Sequence, residues 1–226
     1  MALTLVIGNK NYSSWSLRPW IAMKVAGIAF EEVLIPLYEP GSAEQIAKYS
    51  PAGKVPILLD GDIAVWESLA ILEYLAEKFP KAGLWPAEAR ARAHARTVAT
   101  EMHAGFAPLR RAATMNFWLP PKPRNFAPEV VANIKRIDAL WSDCRKRFGG
   151  GGPFLFGQFG AADAMYAPVV ARFFNYAIEA SELSRAYMDA VMRLPAWKEW
   201  RVAALAEPWV MQGNEPDWPN MQKMTQ

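Results

Sequence analysis

The sequence predicts two structural units: a small mixed α/β domain over residues 1–80 and an all-helical domain over residues 87–226, joined by a linker at 81–86. Three observations carry this. Apolar runs of strand length alternate with helical spacings through the first part and almost vanish afterwards. Asp60-Gly61-Asp62 lies between two apolar runs, a strong hairpin signal. Two prolines and a glycine punctuate Pro80 to Pro86, after which helix-period segments follow one another.

In order, Leu3 to Ile7 is a short apolar run ending at Gly8 and is expected as a buried strand. Leu17 to Ala26 has helical spacing, with Leu17, Ile21 and Val25 recurring every fourth position before Gly27. Glu31 to Ile35 is a second strand, ended by Pro36, and a loop through Tyr38, Pro40 and Gly41 leads to Ser42 as the N-cap of a short helix reaching Tyr49. Val55 to Leu59 and Ile63 to Trp66 form the hairpin, and Ser68 to Lys78 is helical, with Leu69, Leu72, Leu75 and Phe79 apolar. The order β-α-β-α-β-β-α gives a βαβ unit followed by a hairpin, hence a mixed sheet with helices packed on it. Helices are then expected at Ala87 to Met115, Pro128 to Phe148, Ala161 to Ala180, Ser184 to Met192 and Trp197 to Glu207, with an irregular tail after Pro208.

Composition narrows the function classes. A chain of 226 residues with 52% hydrophobic and 21% charged residues is an ordinary globular sequence. The net charge of +3 is too mild to argue for nucleic acid. Arg90, Arg92 and Arg96, and the pair Arg110 and Arg111, are either solvated helix faces or attractors of anionic ligands. The single cysteine, Cys144, excludes an intrachain disulfide, and with two histidines, His94 and His103, no metal cluster is expected. The start MALTLVIGNKNY lacks a basic n-region, and no apolar run reaches membrane-spanning length, so a soluble cytoplasmic protein is expected.

Three segments carry chemistry. In Asn11-Tyr12-Ser13-Ser14-Trp15-Ser16-Leu17-Arg18-Pro19, taking Ser16 as N-cap puts Pro19 in the first helical turn, where its missing N–H costs no bond. Ser13 and Ser14 then precede a helix N-terminus, which favours an anion such as a thiolate; alternatively the serines are competing caps. In Ser50-Pro51-Ala52-Gly53-Lys54-Val55-Pro56, Pro56 is either an ordinary strand-opening proline or a cis proline presenting the Val55 backbone to an extended peptide. In Trp66-Glu67-Ser68-Leu69-Ala70-Ile71, Ser68 is an N-cap, and the helix start beside it can hold a carboxylate while Glu67 faces an ammonium. A serine nucleophile is disfavoured, since no base stands nearby and no G-x-S-x-G is present.

Jointly these segments match glutathione, which presents a thiol, a peptide backbone and a γ-glutamyl group. The chain resembles the cytosolic glutathione transferase superfamily over nearly its whole length, on Ser13-Ser14-Trp15-Ser16, Gly53-Lys54-Val55-Pro56 and Glu67-Ser68-Leu69-Ala70-Ile71. The resemblance implies a thioredoxin-like first domain and a helical second domain. It implies a cis Pro56, the Val55 backbone on the ligand's cysteinyl group, Lys54 near its glycyl carboxylate, and Glu67 and Ser68 on its γ-glutamyl group. Phe159-Gly160-Ala161-Ala162-Asp163 is similar to the family's capping segment, with Gly160 where Ser or Thr is usual. The serine pattern, with Arg18 and Ile21-Ala22, is most similar to the zeta class, where the first serine assists the thiolate. Ser13 is therefore the first candidate and Ser14 the second, whereas cysteine-type members carry Cys at that place. Zeta isomerases of maleylacetoacetate use an arginine at the position of Asn175, and Arg172 lies about one turn earlier.

The implied activity is attack of glutathione, as co-substrate and with no metal, on a small electrophile, with detoxification as the general role. Walls of the electrophile pocket are expected from Trp15, Met102, Phe106, Met115, Phe117 and Arg172. The alternatives are an isomerase, dehalogenase or ether-cleaving lyase, or a non-catalytic interaction module. A homodimer is implied, with no nucleic-acid or membrane partner.

Overall fold

The computed structural model describes residues 2–211 and residue 224. Four strands, β1 (Leu3–Ile7), β2 (Phe30–Leu34), β3 (Ile57–Asp60) and β4 (Ile63–Trp66), form one sheet in the order β2-β1-β3-β4. β1 runs parallel to β2, with Leu5 opposite Glu32, and antiparallel to β3, with Leu5 opposite Leu58. The Asp-Gly turn closes the β3–β4 hairpin, with Asp60 opposite Ile63. Three helices belong to this part: α1 (Ser14–Val25), α2 (Ser42–Ala47) and α3 (Ser68–Lys78). The two-residue period of β1 sorts the faces. Leu3, Leu5 and Ile7 join the main core with α1 and α3, while Val6 packs with Ile35, Ile46 and Ile57 on the α2 side.

The rest is helical: α4 (Ala89–Ala104), α5 (Ala107–Ala112), α6 (Pro128–Phe148), α7 (Ala161–Asn175), α8 (Glu182–Arg193) and α9 (Pro195–Ala206). α7 packs against both α1 and α4, so the main core runs through both parts. Wedged in this way, α1 buries every residue from Ser16 to Met23, including the guanidinium of Arg18. Among the described residues no helix is long and apolar enough to cross a membrane, and no group of potential ligands gathers for a metal.

Several local expectations are corrected. α1 starts at Ser14 with Ser13, not Ser16, at the cap, so Pro19 lies inside the helix. Its missing N–H deprives the Trp15 carbonyl, four residues back, of a helical partner. The Ser68 hydroxyl donates there instead, at 3.0 Å. Ser68 is accordingly the first residue of α3, with Glu67 at the cap position, and Ser42 likewise opens α2 after Gly41 rather than capping it. The helix expected over Ala87 to Met115 breaks at Gly105-Phe106. A Cβ on Gly105 would stand 2.6 Å from the Glu101 carbonyl, Phe106 turns left-handed at φ 57°, and α5 restarts with Pro108 in its first turn. The helix expected to Ala180 ends at Asn175. Of the irregular tail expected after Pro208, residues 212–223, 225 and 226 lie outside the described residues.

The departure at Gly160 has a packing cause. A Cβ there would stand 2.7 Å from the Leu84 carbonyl, and that same carbonyl accepts the Ala161 N–H at 2.7 Å. A backbone oxygen from the linker thus serves the start of α7, where a cap hydroxyl is usual. Asp163 returns to the backbone as expected: its carboxylate accepts the Gly160 N–H at 2.9 Å and the Leu155 N–H at 3.0 Å.

Candidate active site

The loop from Gly8 to Tyr12 delivers Ser13 to the start of α1. The Ser13 N–H donates to Asn9 O at 2.8 Å, and the Ser14 N–H to Tyr12 O at 2.8 Å. The N–H groups of Trp15 and Ser16 have no acceptor among the described residues, leaving partial positive charge at the helix start. Ser13 Oγ lies 2.7 Å from Ser16 Oγ, which in turn accepts the Gly8 N–H at 3.1 Å. Ser13 is nearly buried, and both it and Ser14 border a cavity of about 760 Å³ between the two parts of the chain.

A second, smaller cavity of about 300 Å³ adjoins the first and shares Trp15, Lys54, Val55 and Arg110 with it. Pro56, Glu67 and Ser68 line it as well, so five residues expected to bind one ligand, Lys54 to Pro56 and Glu67-Ser68, meet there. The Val55–Pro56 bond is cis. Neither the N–H nor the C=O of Val55 has a hydrogen-bond partner among the described residues. Glu67 holds φ 69°, a left-handed conformation that costs a non-glycine residue about 1–3 kcal/mol. Such strain is characteristic of ligand clamps, and here it sits where the β4–α3 turn enters the cavity.

Trp15 forms the floor between the cavities. The Arg18 guanidinium lies 4.0 Å from its ring centroid and that of Arg110 at 5.1 Å, while His103 meets its edge at 5.3 Å. His103 Nε2 is 3.9 Å from the Glu67 carboxylate. Arg18 is fully buried; it donates to Met165 O at 3.0 Å and Ser14 O at 2.8 Å, and its Nη2 has no partner among the described residues. Burial and then the neighbouring Arg172 and Arg110 push its pKa well below the ordinary arginine value. Arg172, on α7, donates to Ala113 O at 2.8 Å and Pro168 O at 3.0 Å. Burial, followed by Arg110, pushes it down to about 10. Among the described residues none of these three arginines pairs with a carboxylate. Of the three, Arg110 and Arg172 line the larger cavity and make that wall electropositive.

Of the expected pocket walls, Trp15, Met115 and Arg172 line the larger cavity. Met102, Phe106 and Phe117 do not: all three are buried in the main core, Phe117 against Trp197 at 5.4 Å. Cys144 is buried, and burial pushes its thiol up to about 12. His94 packs on Phe148, and burial lowers its pKa. Sequence reasoning missed Arg18 and His103 as members of the site. The available signal was an arginine inside an otherwise apolar helix, a position that demands a special partner.

Residues 12–78 match the glutathione S-transferase N-terminal domain model, and residues 87–203 match the glutathione S-transferase C-terminal domain model. The chain belongs to the glutathione S-transferase family. It is similar to a zeta class glutathione S-transferase of Euphorbia esula, 34% identical over 106 residues, which are 46% of this chain and 47% of that protein. A probable maleylacetoacetate isomerase of Caenorhabditis elegans is 36% identical over 98 residues, 43% of this chain and 45% of that one. The chain thus spans about half the length of the first curated relatives it matches. A solved Burkholderia glutathione transferase homolog with bound glutathione shares the fold, with a TM-score of 0.68 at 21% identity over 88% of this chain and 96% of that one.

Proposed function

We propose that the protein is a glutathione transferase that binds glutathione across the two adjoining cavities and activates its thiol for attack on a small electrophile. The observation that carries this reading is the unpaired Val55 backbone, lying in one cleft between Ser13 and Glu67-Ser68. Val55 N–H and C=O pair with the cysteinyl residue in the manner of an added strand. Glu67 and the start of α3 take the γ-glutamyl ammonium and carboxylate, and Lys54 the glycyl carboxylate. Ser13 donates to the thiolate. With the Gly8 N–H directed into Ser16 Oγ, the Ser16 hydroxyl proton is available for Ser13 Oγ, which leaves the Ser13 proton for the ligand. Ser14 borders the same cavity without such a relay and is the second candidate.

Calorimetry with reduced glutathione should show saturable binding at millimolar ligand or below. Glu67→Ala should weaken it by about tenfold, the effect of one lost charge-assisted contact, and Ser68→Ala should weaken it through the seating of α3, since the Ser68 hydroxyl donates to the Trp15 carbonyl. Absence of binding at millimolar glutathione would refute the reading and favour an interaction module.

The Arg110 and Arg172 wall of the larger cavity favours a second, narrower reading, in which the electrophile carries a carboxylate, as in isomerisation of a maleylacetoacetate-type substrate. Arg110 and Arg172 border that cavity and have no carboxylate partner among the described residues. Asn175, at the position of the zeta-class arginine, is buried and turned to the Leu119 carbonyl. Paired electrophiles that differ only as acid and methyl ester test this. The wild type should favour the acid, and Arg172→Met should erase roughly 10- to 100-fold of that preference, the worth of one charge-assisted hydrogen bond. An unchanged preference in the variant would rule Arg172 out of substrate binding.

A homodimer is proposed from the family's assembly and from β4, an edge strand that exposes Ile63 and Trp66 at 46% and 41%. Light scattering at micromolar concentration should give twice the chain mass; monomer mass would contradict it.

A further inference from the structure

The loop that delivers Ser13 is held from two sides. Its own domain holds the first half: the Leu37 N–H donates to Asn9 Oδ1 at 2.7 Å, and the Gly8 N–H to Ser16 Oγ. The helical domain holds the second half. Glu207, the residue following α9, accepts the Lys10 N–H on Oε1 at 2.6 Å and the Asn11 N–H on Oε2 at 2.9 Å. Trp200, on α9, donates from Nε1 to Lys10 O at 2.8 Å. The Trp118 N–H donates to Asn11 Oδ1 at 3.2 Å. The Lys10 ammonium pairs with Glu32 at 2.7 Å, and the Glu207 carboxylate hydrogen-bonds the backbone N–H of Lys10, not its ammonium.

We infer that Glu207 is a positioning residue for the thiolate site: its carboxylate clamps the Lys10 and Asn11 N–H groups and thereby sets where Ser13 Oγ stands. Both carboxylate oxygens are used, each by a backbone donor, which makes the contact directional as well as charge-assisted. Asn11 is two residues from Ser13, with Asn9 O accepting the Ser13 N–H, so a loosened clamp moves the hydroxyl itself. A hydrogen bond that must meet a developing or resident thiolate loses most of its effect with a displacement of about 1 Å. The seating of α9 is thus coupled to activation of the thiol in the other domain. Nothing in the Glu207 side chain reaches the cavities, so its influence runs through the loop alone.

The inference rests on Ser13 as the thiolate donor, and the test separates the two. The pKa of the glutathione thiol bound to the full chain is read by ultraviolet absorbance against pH for the wild type, Ser13→Ala, Glu207→Ala, Glu207→Gln and the Ser13→Ala/Glu207→Ala double variant. Glu207→Ala should raise that pKa by about 0.5–1 unit, a three- to tenfold loss of thiolate near neutral pH, with glutathione affinity changed less than about threefold. Glu207→Gln, which keeps one acceptor oxygen, should shift it less. The double variant should match Ser13→Ala alone, because a clamp that acts through Ser13 has nothing left to position. Amide exchange at Lys10 and Asn11 should accelerate in both Glu207 variants. If Ser13→Ala shifts the titration and Glu207→Ala does not, or if the two shifts add in full, the inference is overturned. If Ser13→Ala itself leaves the titration unmoved, the role of Ser13 falls and the inference with it. Should Glu207→Ala fail to fold, Glu207→Gln decides: accelerated exchange at Lys10 and Asn11 with a wild-type titration overturns the clamp.

Discussion

Asp163→Ala should lower the unfolding free energy by about 3–5 kcal/mol and the melting temperature by roughly 10 °C. The carboxylate is fully buried and accepts the N–H groups of Leu155 and Gly160, joining the Gly149–Phe159 connection to the start of α7. Its removal strands two backbone donors in the core, each at a cost of about 1–3 kcal/mol. α7 packs against α1, so the effect should spread to the start of α1, where Ser13 stands. Urea melts check the value; a loss below about 1 kcal/mol would show that the two donors find other partners. Asp163→Asn keeps one acceptor oxygen and should cost less. The pH dependence has a definite sign. Burial pushes the folded carboxyl up to about 7 against the pull of its two N–H donors, while the unfolded value is about 3.9. Between these values the folded state binds more protons than the unfolded chain, so this group's contribution to stability falls as pH rises from about 4 to 7. Wild type compared with Asp163→Asn should therefore lose ground on the order of a few kcal/mol across that window. A difference that is flat or grows with pH would show that the N–H donors, not burial, govern the group.

Ser13→Ala should raise the pKa of the bound glutathione thiol by about 1–2 units and lower turnover near neutral pH by about 10- to 100-fold. Glutathione affinity should barely change, since the lost bond favours thiolate over thiol rather than ligand over water. Ser14→Ala, measured beside it, separates the neighbours: a shift there alone transfers the role to Ser14. A shift in neither variant would assign thiolate stabilisation to the N–H groups at the start of α1. Ser13→Cys should acquire some disulfide-exchange activity, because a thiol at a helix start has a depressed pKa.

Residue chemistry and spacing determined a good deal of this protein without coordinates. The short apolar run of Leu3 to Ile7, the Asp-Gly hairpin at 60–62 and the helical segment of Pro128 to Phe148 are local properties of the chain, and each element stands where its pattern put it. The serines at 13 and 14, Val55-Pro56 and Glu67-Ser68 were legible as candidates for a shared site because turns and helix starts have short-range signatures, and they line two adjoining cavities. Even the α4–α5 break was written in Gly105 and Pro108, outweighed by the apolar spacing around them.

What tertiary structure alone decided is where a polar group finds its partner when that partner is far along the chain. Ser68 completes the turn that Pro19 leaves open in α1. The Leu84 carbonyl makes Gly160 the residue that fits at the start of α7. Arg18, Arg110 and Arg172 come within electrostatic reach of one another from three different helices, and Glu207 reaches back to Lys10 and Asn11. Periodicity and capping register only neighbours within a few residues. A buried hydrogen bond is enforced by desolvation, which acts on whatever the completed fold brings into reach, and that carries no mark in the local sequence.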